Sequence, residues 1–352
     1  MLELPAMLGE TDVLKIIQLL PGVAPGNEGT TGFFVRGGNA DQNLVQLDEA
    51  TIYNPNHLFG PVSTFNARAL NSVTLVKGGF PANYGGRLSS ILDITMKEGN
   101  SQKLVTQGGV GLLSSHLTVE GPLKKDRASF IVSGRRTYLD LLAKPFFKKN
   151  TSTDYHFYDL NARVNWRIAD KDHLYLSYFQ GRDLAGYIDP TGLEFGLGFG
   201  NRTATLRWNH LFGQKLFLNT SFFVNNYFQD YFSVKNKSYT QFYTGVVDYT
   251  AKAEFQYFPH PRHRIQFGGL VARHDFSSTG KATRVPKDAG IQKININKIR
   301  PRSTEEAAVY GSEEWRLSDR LGLNLGLRAP AYRTVDTTYY RLEPRAALES
   351  VA

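Results

Sequence analysis

Between Asn54 and Gly60 the chain reads Asn-Pro-Asn-His-Leu-Phe-Gly, and this short run gathers most of the groups it can offer a ligand. Asn54 and Asn56 bring amide donors and acceptors, His57 an imidazole and Phe59 an aromatic face, on a loop restricted by Pro55 and Gly60. Such a set suits a polar organic ligand. The competing reading is an ordinary Asn/Pro/Gly turn whose histidine is satisfied locally. Two glycine–arginine clusters, Arg36-Gly37-Gly38 and Gly85-Gly86-Arg87, carry a different chemistry. Glycine lets backbone approach closely or take positive φ, and arginine bridges carboxylates in a bidentate fashion. Arg36 and Arg87 are therefore expected at an interface, facing acids on whatever encloses them, rather than on a ligand.

Nothing in the sequence argues for catalysis. The eight histidines are scattered without paired metal-ligand spacing, no serine sits in a nucleophile elbow, and the acidic residues form no compelling pair. The expectation is a non-enzyme without cofactor or metal. Cysteine is absent, which excludes disulfides and thiolate metal sites. The chain carries 41 basic and 32 acidic residues, a net charge of +9, but the charges are spread along alternating runs. Nucleic-acid binding would need them clustered on one face, and it is not expected.

These groups need elements to position them. Thr11 and Asp12 can cap a helix whose Val13, Leu14, Ile17 and Leu20 share one face and which Pro21-Gly22 ends. From Val23 to Met96 the apolar runs are short and punctuated by Gly, Pro and Asn, which predicts a small mixed domain. After Asn100 the texture changes to strict alternation. Asn161, Arg163, Asn165 and Arg167 alternate with Ala162, Val164, Trp166 and Ile168, and Leu321, Leu323, Leu325 and Leu327 with Gly322, Asn324, Gly326 and Arg328. Side chains of a strand point alternately to its two faces, so one face is apolar and the other polar and often cationic.

The connections alternate too. Short turns are expected at 121–127, 169–172, 213–215, 259–263 and 318–320, and longer segments at 138–155, 183–200, 233–240 and 277–303. Short turns on one rim and long loops on the other are the layout of an outer-membrane β-barrel. Trp166, Trp208, Phe212, Tyr257, Phe258 and Trp315 lie near the short turns, where an interfacial belt would put them. No run approaches a transmembrane helix, and mean hydropathy is −0.32, an average in which alternating strands cancel. A soluble sandwich or propeller fits less well, because the strands are long and no blade repeat is present. The fold class expected is mostly β: a small α+β domain over residues 1–100, then about eleven antiparallel strands of a partial transmembrane barrel over 101–352.

The segment from Leu8 to Glu98 resembles the plug domain of TonB-dependent outer-membrane receptors, in the form common among Bacteroidetes. The matching runs are GETDVLKIIQLLPGV, GFFVRGGNADQNLVQLD, YNPNHLFG and FNARALNSVTLVKGGFPANYGGRLSSILDITMKEG, in that order. The barrel portion is similar in texture only. Glu49 stands where the family usually has Gly, which puts a tight turn there in question.

The resemblance implies an importer that binds a scarce extracellular solute, such as a siderophore or oligosaccharide, on the plug apex and barrel loops. It implies a TonB-type energy-transducing partner that pulls on the plug, and an outer-membrane location among outer-membrane lipid. Asn54, Asn56, His57 and Phe59 would then be solute-binding groups at the apex, and Arg36 and Arg87 would face the barrel. Arg163, Arg167, Arg207 and Arg328 would line the lumen, for an anionic solute or for the plug's own acids. Receptors of this kind resemble ~22-stranded barrels of much longer chains. No secretory leader or TonB-contacting box is visible, so a fragment is expected. A β-rich surface protein that binds glycan or adheres is the alternative.

Overall fold

The computed structural model describes residues 11–26, 31–58, 60, 62–143, 145, 152–236, 238–284, 292–294 and 298–350. Phe59, the aromatic member of the 54–60 loop, lies outside them.

Asp12 caps helix α1 (Val13–Ile17), its Oδ1 accepting from the amides of Leu14 and Lys15 at 2.8 and 3.2 Å. The helix is shorter than its apolar spacing suggests: Leu20 lies past its end and is 40% exposed. A two-stranded ribbon of β1 (Val23–Pro25) and β2 (Phe33–Val35) follows. The main sheet of the small unit has β3 (Asn43–Leu47), β4 (Ala50–Thr51), β5 (Leu70–Val76) and β6 (Ser90–Met96) in the order β4-β3-β6-β5. Its central strands β3 and β6 run parallel and are buried at most positions. Val13, Leu14, Ile17, Val35, Leu47, Phe65, Leu92 and Ile94 form its core, and Phe179 enters that core from the large sheet.

The large sheet is the wall. It holds β7 (Val105–Val110), β8 (Ser114–Lys124), β9 (Ala128–Thr137), β10 (Ser152–Ala169), β11 (Asp172–Ile188), β12 (Glu194–Leu211) and β13 (Leu216–Lys235). It continues with β14 (Ser238–His260), β15 (His263–Arg284), β16 (Gln292–Ile294), β17 (Lys298–Ser318), β18 (Leu321–Arg333), β19 (Thr338–Tyr340) and β20 (Glu343–Ser350). A short helix α2 (Leu139–Ala143) follows β9. All fourteen strands pair antiparallel, against about eleven expected; β16 and β19 are three-residue additions to longer hairpins. Among the described residues the two outer strands, β7 at one edge and β20 at the other, do not pair with each other.

The predicted alternation is the wall's organising rule. Asn161 and Arg163 are buried against the small unit, whereas Trp166 and Ile168 project outward at 49% and 47% exposure. Trp208, Phe212, Tyr257 and Trp315 are likewise exposed near the short turns, as an interfacial belt requires. Phe258 instead packs edge-on against Phe217, ring centres 5.5 Å apart.

The long rim differs from the sequence reading. Segments 183–200 and 233–240 are not loops. β11 and β12 stay paired up to Ile188 and Glu194, and β13 and β14 up to Lys235 and Ser238. Strands of 20 and 23 residues are about twice the ~9–11 residues of a bilayer-crossing strand, and their hairpins are ladders along their whole length. Alternation persists through these extensions, but Gly, Asn and Tyr there resemble loop composition, and that misled the length estimate.

Candidate functional site

The contacts between the small unit and the wall are polar almost throughout, and the wall supplies most of the cations. Arg163 on β10 donates to Asp48 Oδ1 at 3.0 Å and to the Met96 carbonyl at 2.7 Å, while Asp48 Oδ1 also accepts from the Met96 amide. Both members of this ion pair are 2% exposed. Arg328 on β18 donates to the carbonyls of Ala82 and Asn83, each at 3.3 Å, and pairs with Glu306. A Cβ on Gly85 would stand 2.6 Å from Arg328 Nε, so the missing side chain leaves the guanidinium its place. Arg345 on β20 donates to the Pro81 carbonyl at 2.6 Å.

Glu49 resolves the question its sequence raised. Asp48 and Glu49 take φ of 47° and 74° in a two-residue hairpin between β3 and β4, the conformation for which glycine is favoured. Its carboxylate is engaged by the wall: Arg207 donates to Oε1 at 3.3 Å, Ser221 Oγ donates to the same atom at 3.0 Å, and Lys252 Nζ lies 3.5 Å from Oε2. The tight turn is therefore made despite the side chain. A non-glycine residue at positive φ costs ~1–2 kcal/mol, which these three contacts offset.

Of the two arginines expected from sequence to face the wall, one is placed otherwise. Arg36 is exposed, with φ 48°, and its guanidinium lies over Gly78 of the same unit. Arg87 is half-buried, donates to the carbonyl of its neighbour Gly86 at 2.8 Å, and lines a cleft between the small unit and the wall together with Glu343 and Arg345. The wall's own arginines also reach inward, and the acids that Arg163 and Arg207 meet, Asp48 and Glu49, sit on a hairpin the sequence reading treated only as a turn. Their LDE run was the available signal.

The 54–60 loop is the top of the small unit. His57 is 2% exposed. Its Nδ1 lies 2.8 Å from Asp183 Oδ2 and its Nε2 3.1 Å from Asp159 Oδ2, and the ring stacks on Phe157 with centres 3.6 Å apart. Two ionised carboxylates accept only, so both ring nitrogens must donate, which makes the ring an imidazolium. Burial by itself lowers the imidazole pKa, but the charge of Asp159 and the hydrogen bonds to both carboxylates outweigh it and raise the pKa above its ordinary value. Arg135 donates through Nε to Asp159 Oδ2 at 2.9 Å and also to the Ser63 carbonyl. Asp183 Oδ1 accepts from the Leu58 amide and the Tyr155 hydroxyl, both at 2.9 Å. His57 is thus a fastening of the apex to β10 and β11.

Asn54 and Asn56 are half-buried. The Asn54 carbonyl accepts from Asn201 Nδ2 at 2.8 Å, its side-chain oxygen accepts from the Asn56 amide, and Asn56 Oδ1 accepts from Thr31. Tyr53, not singled out in the sequence, has the more prominent position. Its hydroxyl donates to Asp248 Oδ2 at 2.8 Å and its ring tilts against Tyr227, 5.9 Å away. Burial, then Asp248, pushes its phenol far above the usual range, so it stays a donor. A chamber of about 420 Å³ opens beside this pair, lined by Tyr53, Tyr227, Thr244, Val246, Phe276 and Arg302. Aromatic faces with one cation suit a flat or anionic organic solute.

The TonB-dependent Receptor Plug Domain family matches residues 3–90. No curated protein matches the chain. Among solved structures, the chain is similar to the copper transporter OprC (TM-score 0.71, 12% identity, 96% of this chain and 57% of that one). It is also similar to the ferric enterobactin receptor PfeA from Pseudomonas aeruginosa (0.67, 15%, 96% and 57%) and the outer membrane transporter YddB from Escherichia coli (0.67, 13%, 98% and 57%). The chain thus spans somewhat over half the length of these structures, and the likeness extends through the wall as well as the small unit. Residues 3–90 thus match the plug domain of TonB-dependent receptors, and the whole chain shares the fold of a plug set against a large part of its barrel wall.

Proposed function

We propose that this protein is the plug and part of the barrel of a TonB-dependent outer-membrane transporter, which takes up a scarce extracellular solute when a TonB-type partner pulls on the plug. One observation carries the reading. The plug has an apolar core of its own, yet it is joined to the wall mainly by ion pairs and hydrogen bonds that water can replace. A permanently fixed domain would share more apolar surface; a removable one needs such a polar seam. The chamber beside Tyr53 and Tyr227 is the solute site this reading favours, with Asn54 and Asn56 bracing its floor. Copper and ferric enterobactin appear in the names of similar structures, so ferric siderophores and metal complexes head the panel to be tried.

The test is uptake of labelled solutes by cells that produce the protein, with and without their TonB-type protein. Saturable uptake that disappears with the energy transducer is the expected result. Binding that never becomes uptake, in cells with an intact transducer, would favour a surface receptor and sink the transporter reading.

A further inference from the structure

The outer face of the wall carries an arrangement that neither the plug nor the chamber uses. Across β11, β12, β13 and β14 one row of the register reads Arg182, Gly200, Phe228, Gly245. On β11 and β13, Leu176 and Phe222 of the same face are 52% and 50% exposed, so this face points away from the plug. Phe228 is nevertheless only 8% exposed. Gly200 and Gly245 flank it, and with no side chain on either, neighbours can close over the ring. The Arg182 guanidinium crosses above Gly200 to within 5.4 Å of the ring centre, Arg202 comes from β12 to 5.7 Å, and Tyr243 stacks at 6.4 Å. A Cβ on Gly200 would stand 2.2 Å from the Gly181 carbonyl oxygen, so no other residue fits there unaltered.

Two guanidinium groups on one ring repel each other unless an anion lies between them. No ion pair is formed by either among the described residues, and Arg182 Nε is buried without a hydrogen-bond partner. Asp230, two residues beyond Phe228 on β13, accepts from Gln241 at 2.7 Å. Three other arginines toward the long rim are paired: Arg273 with Asp275, Arg333 with Glu305 and Arg136 with Asp140. Height sets the kind of anion. Arg182 lies ten residues beyond the start of β11 at Asp172, about 25 Å along the barrel axis for a strand tilted ~40°, which is the height of the apolar band of an outer-membrane barrel. Below it the outward face is Tyr178, Leu176 and Leu174; beside it Tyr178, Gln180 and Tyr158 form a hydrogen-bonded chain typical of headgroup depth.

We propose that Arg182 and Arg202, on the Phe228 platform, form a headgroup site for the phosphate of an outer-leaflet lipid. Its acyl chains would lie along Leu176, Leu206 and Phe222 below. Guanidinium groups take phosphate oxygens in bidentate pairs, and at the edge of a bilayer such pairs are partly desolvated and strong. The proposal rests on reading the wall as a membrane barrel.

The test uses the protein extracted from outer membranes in detergent and native mass spectrometry. The probes are a diphosphorylated disaccharide glycolipid, the same glycolipid with both phosphates removed, and inorganic phosphate as competitor. The wild-type protein should retain the phosphorylated probe about tenfold or more over the dephosphorylated one. The R182Q/R202Q double substitution should abolish that preference, R182K/R202K should keep part of it, and R273Q, at an ion-paired arginine, should keep all of it. Equal retention of both probes by the wild type, or an undiminished preference in R182Q/R202Q, overturns the site while leaving the membrane reading intact. Displacement by millimolar inorganic phosphate would mark a free-anion site and overturn the lipid assignment. A protein that is not recovered in the membrane fraction at all would fail the membrane reading itself.

Discussion

His57 and Asp159 meet at 3.1 Å inside a contact that both leave almost without exposure, joining the top of the plug to strand β10 of the wall. Asp183 completes the arrangement from β11, so one imidazole ties two strands of the wall to the apex.

This fastening should respond to pH. The folded-state pKa of His57 is raised above its unfolded value of ~6.5. Its contribution is therefore fully present below ~6.5 and is lost as pH rises through the folded value. Protease sensitivity of the 53–63 loop should increase as pH rises above neutral, and His57→Gln should flatten that dependence. A loop that loosens instead between neutral and mildly acidic pH would contradict the imidazolium assignment.

Arg163→Ala leaves Asp48 buried without its cation, and breaking a buried pair from one side costs ~3–5 kcal/mol. The plug should become protease-sensitive at lower denaturant, and D48N combined with R163A should recover part of the loss. Full additivity of the two substitutions, measured as a double-mutant cycle, would deny the coupling.

Glu49→Gly separates strain from contact. It relieves ~1–2 kcal/mol of positive-φ strain but leaves Arg207 and Lys252 facing the seam without that carboxylate. We expect net weaker seating of the plug, seen as faster hydrogen exchange in the β3–β4 hairpin. Slower exchange would mean that strain outweighs the ion pairs.

Gly99 lies between plug and wall at φ 83°, where a Cβ would stand 2.3 Å from the Phe130 carbonyl oxygen. The obstacle is backbone and cannot swing aside. Gly99→Ala should cost several kcal/mol on the scale of a core clash added to backbone strain, and lower the yield of heat-modifiable folded protein. Wild-type yield would refute the clash.

These 352 residues by themselves should not conduct. Among the described residues, strands β7 and β20 end the sheet without pairing each other, and lipid cannot solvate the free N–H and C=O groups of an edge. Planar-bilayer recordings on the isolated chain should show no stable channel; discrete, reproducible conductance steps would overturn this.

What the sequence made legible follows from what has a period. Alternation at 161–168 and 321–328 declared both faces of the wall, and the capping Asp12 declared the helix start. The inward arginines 163, 207 and 328 were also visible, and the plug's own acids, one of the two partners weighed for them, are what Arg163 and Arg207 meet. Pairings across hundreds of residues have no such signature. Nothing local to His57 reveals that Asp159 and Asp183 will converge on it, and nothing near Tyr53 announces Asp248. Those neighbours are set by strand register, which every residue of the ladder determines jointly. The row Arg182, Gly200, Phe228, Gly245 was hidden for the same reason: its members are adjacent only once four strands are aligned.

Among the described residues, Phe179 is the one wall side chain in the plug's apolar core, fully buried and facing Phe65 at 6.4 Å. Salt links and carbonyl bonds around it can exchange with water one at a time, so they yield gradually under a pull. A phenyl ring cannot leave its socket by degrees; withdrawing it exposes apolar surface worth ~2–3 kcal/mol over a few ångströms. Under load the seam should therefore creep and then snap, and the snap belongs to one residue. Replacing Phe179 by a smaller side chain would turn a latch with a threshold force into a hinge that merely drags.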